Sequence, residues 1–266
     1  MNPTLREIVS VIENFANPGW QEDYDNTGWQ ILLPDVIDEP CTGMMVCVDA
    51  TTEILQEAAL KGCNFLLTHH PLLFRGIKRI DSTGRVGSCI IDAIRWGISI
   101  YSCHTAVDSA PCGVSRVLGQ LLGLKDVEVL SPGHEEGTGI GIVGNLHEPL
   151  PLKQIISKIK ETFHSPVARC SGVADQSAII HRIAIGGGAC GDLIPAAIEK
   201  GAQVMVTSDV KHNLFIDYCD AIAVVDVGHY ETEDCTKDIF YNIIMEKFPN
   251  FVPYYSEKEK NPITYL

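Results

Sequence analysis

The chain has 266 residues, 45% hydrophobic and 20% charged, a composition typical of a globular protein with one or two domains. Its formal net charge of −14 argues against a broad nucleic-acid surface, because phosphate binding depends on clustered Lys and Arg. The ten cysteines form no C-x-x-C pair, and the amino terminus has no signal-peptide pattern. We therefore expect reduced thiols, no membrane partner and a cytoplasmic location.

Apolar periodicity along the chain predicts alternating helices and strands of an α/β fold. Thr4 and Glu7 have the spacing of a capping box at the start of the first helix. Parallel strands joined by a helix imply a right-handed crossover. In chain order, we predict a helix over 5–15, an ordered loop over 18–34, a strand over 44–48, a helix over 52–61, a strand over 64–68, a helical stretch to residue 95, a strand over 97–104, a helix over 113–122, a loop-like region over 125–145 with a strand at 139–144, a helix over 152–163, a strand over 179–185, a helix over 192–200, strands over 203–207 and 221–227, and a final strand over 261–266.

Three of the predicted strands end in histidine. In open α/β sheets ligands bind at the carboxyl ends of the strands, so these imidazoles are candidate metal ligands. A carboxylate follows two of them after four residues, a spacing that places both side chains on one face of a helix. The six candidate metal ligands are His69, His70, His104, Asp108, His229 and Glu233.

Six nitrogen and oxygen donors exceed the four ligands of a structural zinc site and suffice for two divalent ions bridged by a carboxylate. Such donors suit Zn, Mn, Fe, Co or Ni. We expect Glu233 to be the bridging and catalytic carboxylate, because Asp108 pairs with His104 in a different segment. The alternative is that some of these histidines are ordinary core or surface residues.

Three other motifs have both a functional and a structural interpretation. The glycine run Gly186–Gly191, with Asp209 further on, matches a dinucleotide fingerprint, a phosphate-binding turn or an ordinary strand-to-helix turn. The polar segment 208–212 follows a strand; it is suited to binding substrate, supporting a metal ligand or capping a helix. The cations Arg75, Lys78 and Arg79 suit an anionic substrate or a solvated loop.

Together these residues carry a resemblance that extends nearly from end to end. The chain resembles the NIF-three-like dinuclear metal-centre family, whose bacterial members include GTP cyclohydrolase 1 type 2 homologues. The double histidine, the His-x-x-x-Asp motif and the Gly-His-Tyr-x-x-Glu motif are specific in this order. The matching segments are Tyr24-Asp25-Asn26-Thr27-Gly28, Val48-Asp49-Ala50-Thr51, Thr68-His69-His70-Pro71-Leu72, residues 104–111, Gly186-Gly187-Gly188, Ser208-Asp209-Val210-Lys211-His212, Gly228-His229-Tyr230 and Glu233.

The resemblance implies two α/β lobes with mostly parallel sheets, a two-metal site between them at the strand carboxyl ends, and assembly into a hexameric ring. We assign residues 1–128 to the first lobe and 129–266 to the second. The family's ligand positions correspond to His69, His70, Asp108, His229 and Glu233, with His104 close to the metals. The glycine turn also belongs to the family pattern, which weakens the dinucleotide interpretation.

Two functions are therefore expected, in different classes. The first is a dinuclear metal-dependent hydrolase acting on a small molecule such as GTP or a related nucleotide. The second is a non-enzymatic metal-binding or regulatory hexamer. Open coordination positions facing a cavity would favour the first, and a fully protein-ligated metal pair would favour the second.

Overall fold

A computed structural model of the protein describes residues 2–172 and 174–266. The chain folds into helices and two β-sheets, which confirms the predicted α/β class. It divides into two compact units. Unit 1 comprises Met1–Val107 and Thr236–Lys260, and unit 2 comprises Asp108–Cys235 and Asn261–Leu266.

Unit 1 contains a five-stranded sheet with the order β1-β4-β3-β2-β11. The pairings of β2, β3, β4 and β11 are parallel, and β1 pairs antiparallel with β4 at one edge. The elements are α1 (Leu5–Phe15), a short 3-10 helix (Pro18–Trp20), β1 (Gly28–Ile31), β2 (Met44–Cys47), α2 (Thr52–Leu60), β3 (Phe65–Thr68), α3 (Arg85–Trp96), β4 (Ser99–Ser102), α4 (Thr105–Ser109), which continues into unit 2, α10 (Thr236–Lys247) and β11 (Tyr254–Tyr255).

The central strands of unit 1 are buried along their whole length, as expected for a sheet covered on both faces. Helices α2 and α3 pack on one face, where Met45 and Cys47 of β2 belong to the same apolar cluster as Ile54 and Ile90. Helix α1 packs against α10, which also contacts β2. The predicted capping box at Thr4 and Glu7 is confirmed, because both reciprocal hydrogen bonds form.

Unit 2 contains a six-stranded sheet with the order β5-β6-β8-β9-β10-β7. Strands β8, β9 and β10 are parallel, and the remaining pairings are antiparallel. The elements are α5 (Val114–Leu122), β5 (Leu124–Pro132), β6 (Gly139–Pro151), α6 (Leu152–Thr162), β7 (Arg169–Ser171), β8 (Ile179–Ile185), a 3-10 helix (Gly191–Leu193), α7 (Ile194–Glu199), β9 (Val204–Thr207), α8 (His212–Tyr218), β10 (Ala223–Asp226) and α9 (His229–Glu233).

The sheet of unit 2 is mixed, where the sequence predicted a mostly parallel one. Strands β5 and β6 form a hairpin, and the short connection between them joins only antiparallel strands. Strand β7 adds an antiparallel edge next to β10. Strands β8 to β10 are parallel, so their carboxyl ends lie at the same edge of the sheet, as the site prediction requires. At that edge, Asp226 at the end of β10 lies opposite Thr207 of β9.

Two segments lie in a different compact unit from the lobe in which the sequence placed them. Residues 108–128 belong to unit 2, because α5 packs on β5 and β6. Residues 236–260 belong to unit 1, because α10 packs on α1 and β11 pairs with β2. The C-terminal part of the chain is therefore divided between the two units.

Other predicted segments differ locally from the structure. The predicted loop over 18–34 contains a 3-10 helix and β1, which pairs with β4. The strand predicted at 139–144 is confirmed as the first part of β6, but the preceding residues, which were expected to be loop-like, contribute β5 to the β5–β6 hairpin. The final strand predicted over 261–266 was wrong: this segment has no regular secondary structure, and the C-terminal strand is β11. Pro262 lacks the N–H group that a continuous strand would use for pairing.

In the part of the chain that the structure describes, no helix has the length and apolar character needed to cross a membrane.

Candidate metal centre

Parallel pairing brings three histidines to one edge of the sheet in unit 1. Thr68 at the end of β3 pairs in register with Ser102 at the end of β4. His69 and His70 follow β3 directly, and His104 follows β4 two residues after its end. The predicted convergence of these side chains at the carboxyl ends of neighbouring strands is therefore present within unit 1.

The three imidazoles form a compact group that we call the histidine triad: His69, His70 and His104. One nitrogen of each ring lies within 4.8 Å of the corresponding nitrogens of the other two. The ring centroids are 4.9, 5.2 and 5.4 Å apart. His69 is fully buried, whereas the side chains of His70 and His104 are 23% and 16% exposed. The triad therefore combines a buried base with two more accessible imidazoles.

Each imidazole of the triad is oriented by an oxygen beside its Nδ1 atom. A neutral imidazole that donates its Nδ1 proton carries a lone pair on Nε2, the nitrogen that a metal ligand then offers. These contacts therefore favour the tautomer suited to metal binding. They join His69 to the carbonyl oxygen of Cys103 at 3.2 Å, His70 to Oδ1 of Asp49 at 3.2 Å, and His104 to Oδ1 of Asp25 at 2.7 Å.

Asp25 is held by a network of donors in addition to His104. Its Oδ2 atom accepts hydrogen bonds from the backbone N–H of Thr105 at 3.0 Å and from the Thr27 hydroxyl at 3.1 Å. Burial alone would raise the pKa of Asp25, but the hydrogen bonds from His104, Thr105 and Asn26 outweigh it and hold that pKa well below its usual range. Asp25 therefore remains ionised beside His104.

A second group of donors lies in unit 2, at the start of α9. His229 and Glu233 are one helical turn apart, as predicted, and Nε2 of His229 lies 2.8 Å from Oε2 of Glu233. Nδ1 of His229 lies 2.8 Å from Oδ2 of Asp209. The Glu233 side chain is only 4% exposed, whereas that of His229 is 29% exposed. This His229–Glu233 pair offers one nitrogen and one carboxylate to a metal ion.

The backbone before His229 is fixed by Asp226, the last residue of β10. The Asp226 carboxylate is buried; it accepts hydrogen bonds from the N–H of Gly228 at 3.2 Å and of Val210 at 2.9 Å, and it forms an ion pair with Arg169. Gly228 has a φ of +98°, a conformation that side-chain-bearing residues rarely adopt. These contacts define where α9 begins and therefore where His229 is presented.

The glycine turn after β8 is shaped around Glu233. A Cβ atom at Gly188 would lie 2.1 Å from Oε1 of Glu233, and Gly188 has a φ of +66°. The N–H of Gly188 donates to the hydroxyl of Thr232 at 3.0 Å. The absence of a side chain at this position is thus explained by the close approach of a candidate ligand, without any bound dinucleotide.

The structure describes all six predicted ligands. Three form the triad of unit 1, and two form the pair on α9 of unit 2. Asp108 is partly buried on α4, in the portion of that helix that belongs to unit 2. The assignment of these residues as metal ligands stays a prediction. Their imidazole and carboxylate donors fit the expected ions, because Zn, Mn, Fe, Co and Ni all accept such ligands.

Sequence reasoning missed the roles of Asp25 and Asp49 as hydrogen-bond partners of triad histidines. Asp25 lies 79 residues before His104, and no periodic pattern connects the two positions. Asp49 directly follows the predicted strand over 44–48, and that position at the carboxyl edge of the sheet was the available signal. Asp209, by contrast, was considered as a supporting residue, and its contact with His229 agrees with that interpretation.

Beside the triad, a loop combines aromatic and cationic side chains. Phe74 stands nearly perpendicular to the ring of His104, with centroids 6.0 Å apart. Arg75 lines a cavity of about 430 Å³ together with Phe74 and Asn26. The predicted cations Lys78 and Arg79 are exposed on the same loop. This surface offers positive charge and an aromatic face next to candidate metal ligands.

Comparison with known proteins identifies relatives over most of the chain. The sequence profile of Duf34/NIF3 (NGG1p interacting factor 3) matches residues 3–262. A protein of Nostoc sp. named GTP cyclohydrolase 1 type 2 homolog is 36% identical over 234 residues, 86% of each chain. A protein of the same name from Clostridium perfringens is 30% identical over 266 residues, covering 98% of this chain and 99% of the relative.

Solved structures share the whole fold at lower sequence identity. A hypothetical protein of Staphylococcus aureus superposes with a TM-score of 0.89 at 24% identity, over 100% of both chains. A Bacillus cereus protein related to NIF3 superposes with a TM-score of 0.88 at 22% identity, again over 100% of both chains. The profile match and the curated relatives together establish that the chain belongs to the Duf34/NIF3 family.

Proposed function

We propose that the protein is a metal-dependent hydrolase whose two divalent ions are held by the histidine triad of unit 1 and by the donors of unit 2, Asp108 and the His229–Glu233 pair. The observation that carries the proposal is the preorganisation of the donors. Each triad imidazole has an oxygen beside Nδ1, and the buried Glu233 is enclosed by a glycine turn that leaves room for its carboxylate. Such orientation of ligands by neighbouring groups is typical of metal sites.

Each residue has a defined part in this proposal. The triad would supply imidazole nitrogens to a metal ion, and Glu233 would supply a carboxylate. Asp25, Asp49 and Asp209 keep the imidazoles in the ligating tautomer. Divalent ions bound there would supply Lewis acidity. They would also lower the pKa of a bound water, so that hydroxide is available at neutral pH.

The proposed substrate is a small anionic molecule, for which a nucleotide such as GTP is the specific candidate. Relatives that are 30–36% identical carry the name GTP cyclohydrolase 1 type 2 homolog. Phe74 beside His104 and Arg75 in the cavity that Phe74 also lines support an anion with a planar ring, because guanidinium groups bind phosphate and aromatic faces stack on bases. A small molecule agrees better than a nucleic acid with the net charge of −14.

The test is metal analysis of protein purified without added metal, followed by hydrolysis assays with GTP, phosphoesters and peptides. We expect bound divalent metal and hydrolysis of an anionic substrate that is lost with a chelator and restored by metal. Metal binding without hydrolysis of any of these substrates would instead favour the non-enzymatic, regulatory role. Hydrolysis that survives complete metal removal would contradict the proposal.

We also propose that the protein is a homo-oligomer, with a hexamer as the specific expectation from the family resemblance. Exposed apolar side chains support self-association, including Leu60 at the end of α2 (82% exposed) and Ile94 on α3 (56% exposed). Size-exclusion chromatography with light scattering measures the mass directly. A monomeric mass at micromolar concentration would contradict this expectation.

A further inference from the structure

We propose that Glu259 is a positioning residue for His70 and acts through the backbone and side chain of Asp49. Glu259 belongs to a segment that we call the C-terminal strap, Ser256–Lys260, which folds with unit 1. The inference rests on the proposed function in one respect, namely that His70 is a metal ligand. In this role the C-terminal strap orients a candidate metal ligand and does not contact the metal itself.

Glu259 binds the backbone at the carboxyl end of β2. Its Oε1 atom accepts hydrogen bonds from the N–H of Val48 at 2.5 Å and of Asp49 at 3.3 Å. Its Oε2 atom lies 2.8 Å from Nζ of Lys237, and the two side chains are only 4% and 14% exposed. Burying a carboxylate is costly unless charged and hydrogen-bonding partners compensate. This ion pair therefore anchors Glu259 at a defined position.

The backbone that Glu259 holds is also the backbone that holds His70. The carbonyl oxygen of Val48 accepts a hydrogen bond from the N–H of His70 at 2.9 Å. Oδ1 of Asp49 lies 3.2 Å from Nδ1 of the same histidine. Val48 and Asp49 thus contact Glu259 through their N–H groups and His70 through their oxygens. A displacement of this dipeptide would change both the position and the orientation of the imidazole.

A second anchor holds the other end of the strap and offers a control. Glu57 on α2 accepts hydrogen bonds from the Ser256 hydroxyl at 2.6 Å and from the N–H groups of Glu257 at 3.1 Å and Lys258 at 3.2 Å. These bonds fix residues 256–258 but do not involve Val48 or Asp49. Loss of Glu57 is expected to destabilise the strap without removing the contact between Glu259 and the end of β2.

The alternative is that Glu259 only stabilises the fold. A double-mutant cycle distinguishes the two roles, because residues that act through one another are not additive. The variants are Glu259→Ala, Asp49→Ala and their combination, with Glu57→Gln as the control. The measurement is the dissociation constant of Co²⁺, obtained by competition with a chromophoric chelator, with a urea unfolding midpoint for every variant.

We expect Glu259→Ala to weaken Co²⁺ binding about tenfold, the lower end of the range for residues that orient metal ligands. In the Asp49→Ala background the same substitution is expected to cause a smaller loss than in the wild type, because only the backbone contact between Val48 and His70 remains to be disturbed. Glu57→Gln is expected to lower the urea midpoint and to keep the wild-type affinity. Wild-type affinity in Glu259→Ala, or additive losses in the double variant, would overturn the inference.

Glu259→Asp keeps the test decisive if the alanine variant does not fold. It retains the negative charge beside Lys237, but its side chain is one methylene shorter, which draws the carboxylate away from the N–H groups of Val48 and Asp49. We expect this folded variant to bind Co²⁺ about tenfold more weakly than wild type, and wild-type affinity would overturn the inference. If the wild-type protein binds no Co²⁺, both the proposed function and the inference fail. If the wild-type protein binds Co²⁺ tightly and Glu259→Ala binds it equally well, only the inference fails.

Discussion

The Nδ1 atom of His104 lies 2.7 Å from Oδ1 of Asp25, a carboxylate that is fully buried and 79 residues away in sequence. This contact connects the loop around Asp25 to the end of β4. It keeps an ionised carboxylate beside an imidazole that the proposal assigns to a metal ion. The relationship can be tested by changing the carboxylate while leaving the imidazole in place.

Replacing Asp25 with Asn is expected to weaken metal binding about 10- to 100-fold, as is typical when a partner of a metal-bound histidine is lost. The amide NH2 group would meet the donors of Thr105 and Thr27 where Oδ2 now accepts their hydrogen bonds. Competitive metal titration measures the affinity, and circular dichroism verifies folding. The control is Asp23→Asn, an exposed carboxylate on the same loop. Wild-type affinity in a folded Asp25→Asn variant would argue against this role.

Replacing Gly188 with Ala tests the close approach of the glycine turn to Glu233. The new Cβ would lie 2.1 Å from Oε1 of Glu233, so the carboxylate must move and metal binding is expected to fall. The positive φ adds a conformational cost of about 1–2 kcal/mol. Urea unfolding and metal titration measure the two effects separately.

Gly201→Ala is the matched control for this experiment. Gly201 has a similar φ of +74°, but a Cβ there would meet nothing within 4 Å. We expect the free energy of unfolding of this variant to fall by about 1 kcal/mol, because alanine is strained in a left-handed conformation. We expect its metal affinity to equal that of wild type. Equal metal affinities in the two variants would indicate that the approach of Gly188 to Glu233 has no bearing on metal binding.

Much of the fold was predictable because its local signals agree with its tertiary contacts. Helix α1 has an apolar face and a capping box, and strand β3 is a short apolar run that is buried along its length. Strand β5 was missed because it is largely exposed and lacks such a run. Strand β11 consists of only Tyr254 and Tyr255, and it is defined by pairing with β2, a contact about 200 residues away in sequence that leaves no local period.

The candidate ligands were predictable because each follows the end of a strand or lies one turn into a helix. His70 and His229 could be identified in this way, and so could Glu233 from its spacing. Their partners Asp25 and Asp49 could not, because hydrogen bonds between distant segments depend on the tertiary fold. The need for glycine at position 188 could not be predicted either, because it arises from a tertiary contact with Glu233.

The acid stability of unit 1 is expected to depend on Glu57. Burial acts to raise the pKa of Glu57, but hydrogen bonds from Ser256, Glu257 and Lys258, together with the charge of Lys61, outweigh it and lower that pKa. A carboxylate with a lowered folded pKa stabilises the fold above its unfolded pKa, and this stabilisation disappears as the pH falls through the folded value.

We therefore expect Glu57→Gln to cost about 1 kcal/mol at pH 7, the usual size of a hydrogen-bond contribution. The difference from wild type should shrink below about pH 4.3, the ordinary pKa of a glutamate. Urea unfolding at a series of pH values measures this difference, with the exposed Glu39→Gln as control. A cost that stays constant down to about pH 3, well below that pKa, would show that the charge of Glu57 is not responsible.

The most direct test of the metal-dependent mechanism is to compare metal content and hydrolysis in wild type and Glu233→Gln, with Glu199→Gln as an exposed control in the same unit. The amide of Gln keeps the size of Glu233 but removes the carboxylate beside His229. We predict that Glu233→Gln loses bound metal and hydrolysis together, whereas Glu199→Gln keeps both. Undiminished hydrolysis by Glu233→Gln protein that contains no metal would contradict the account.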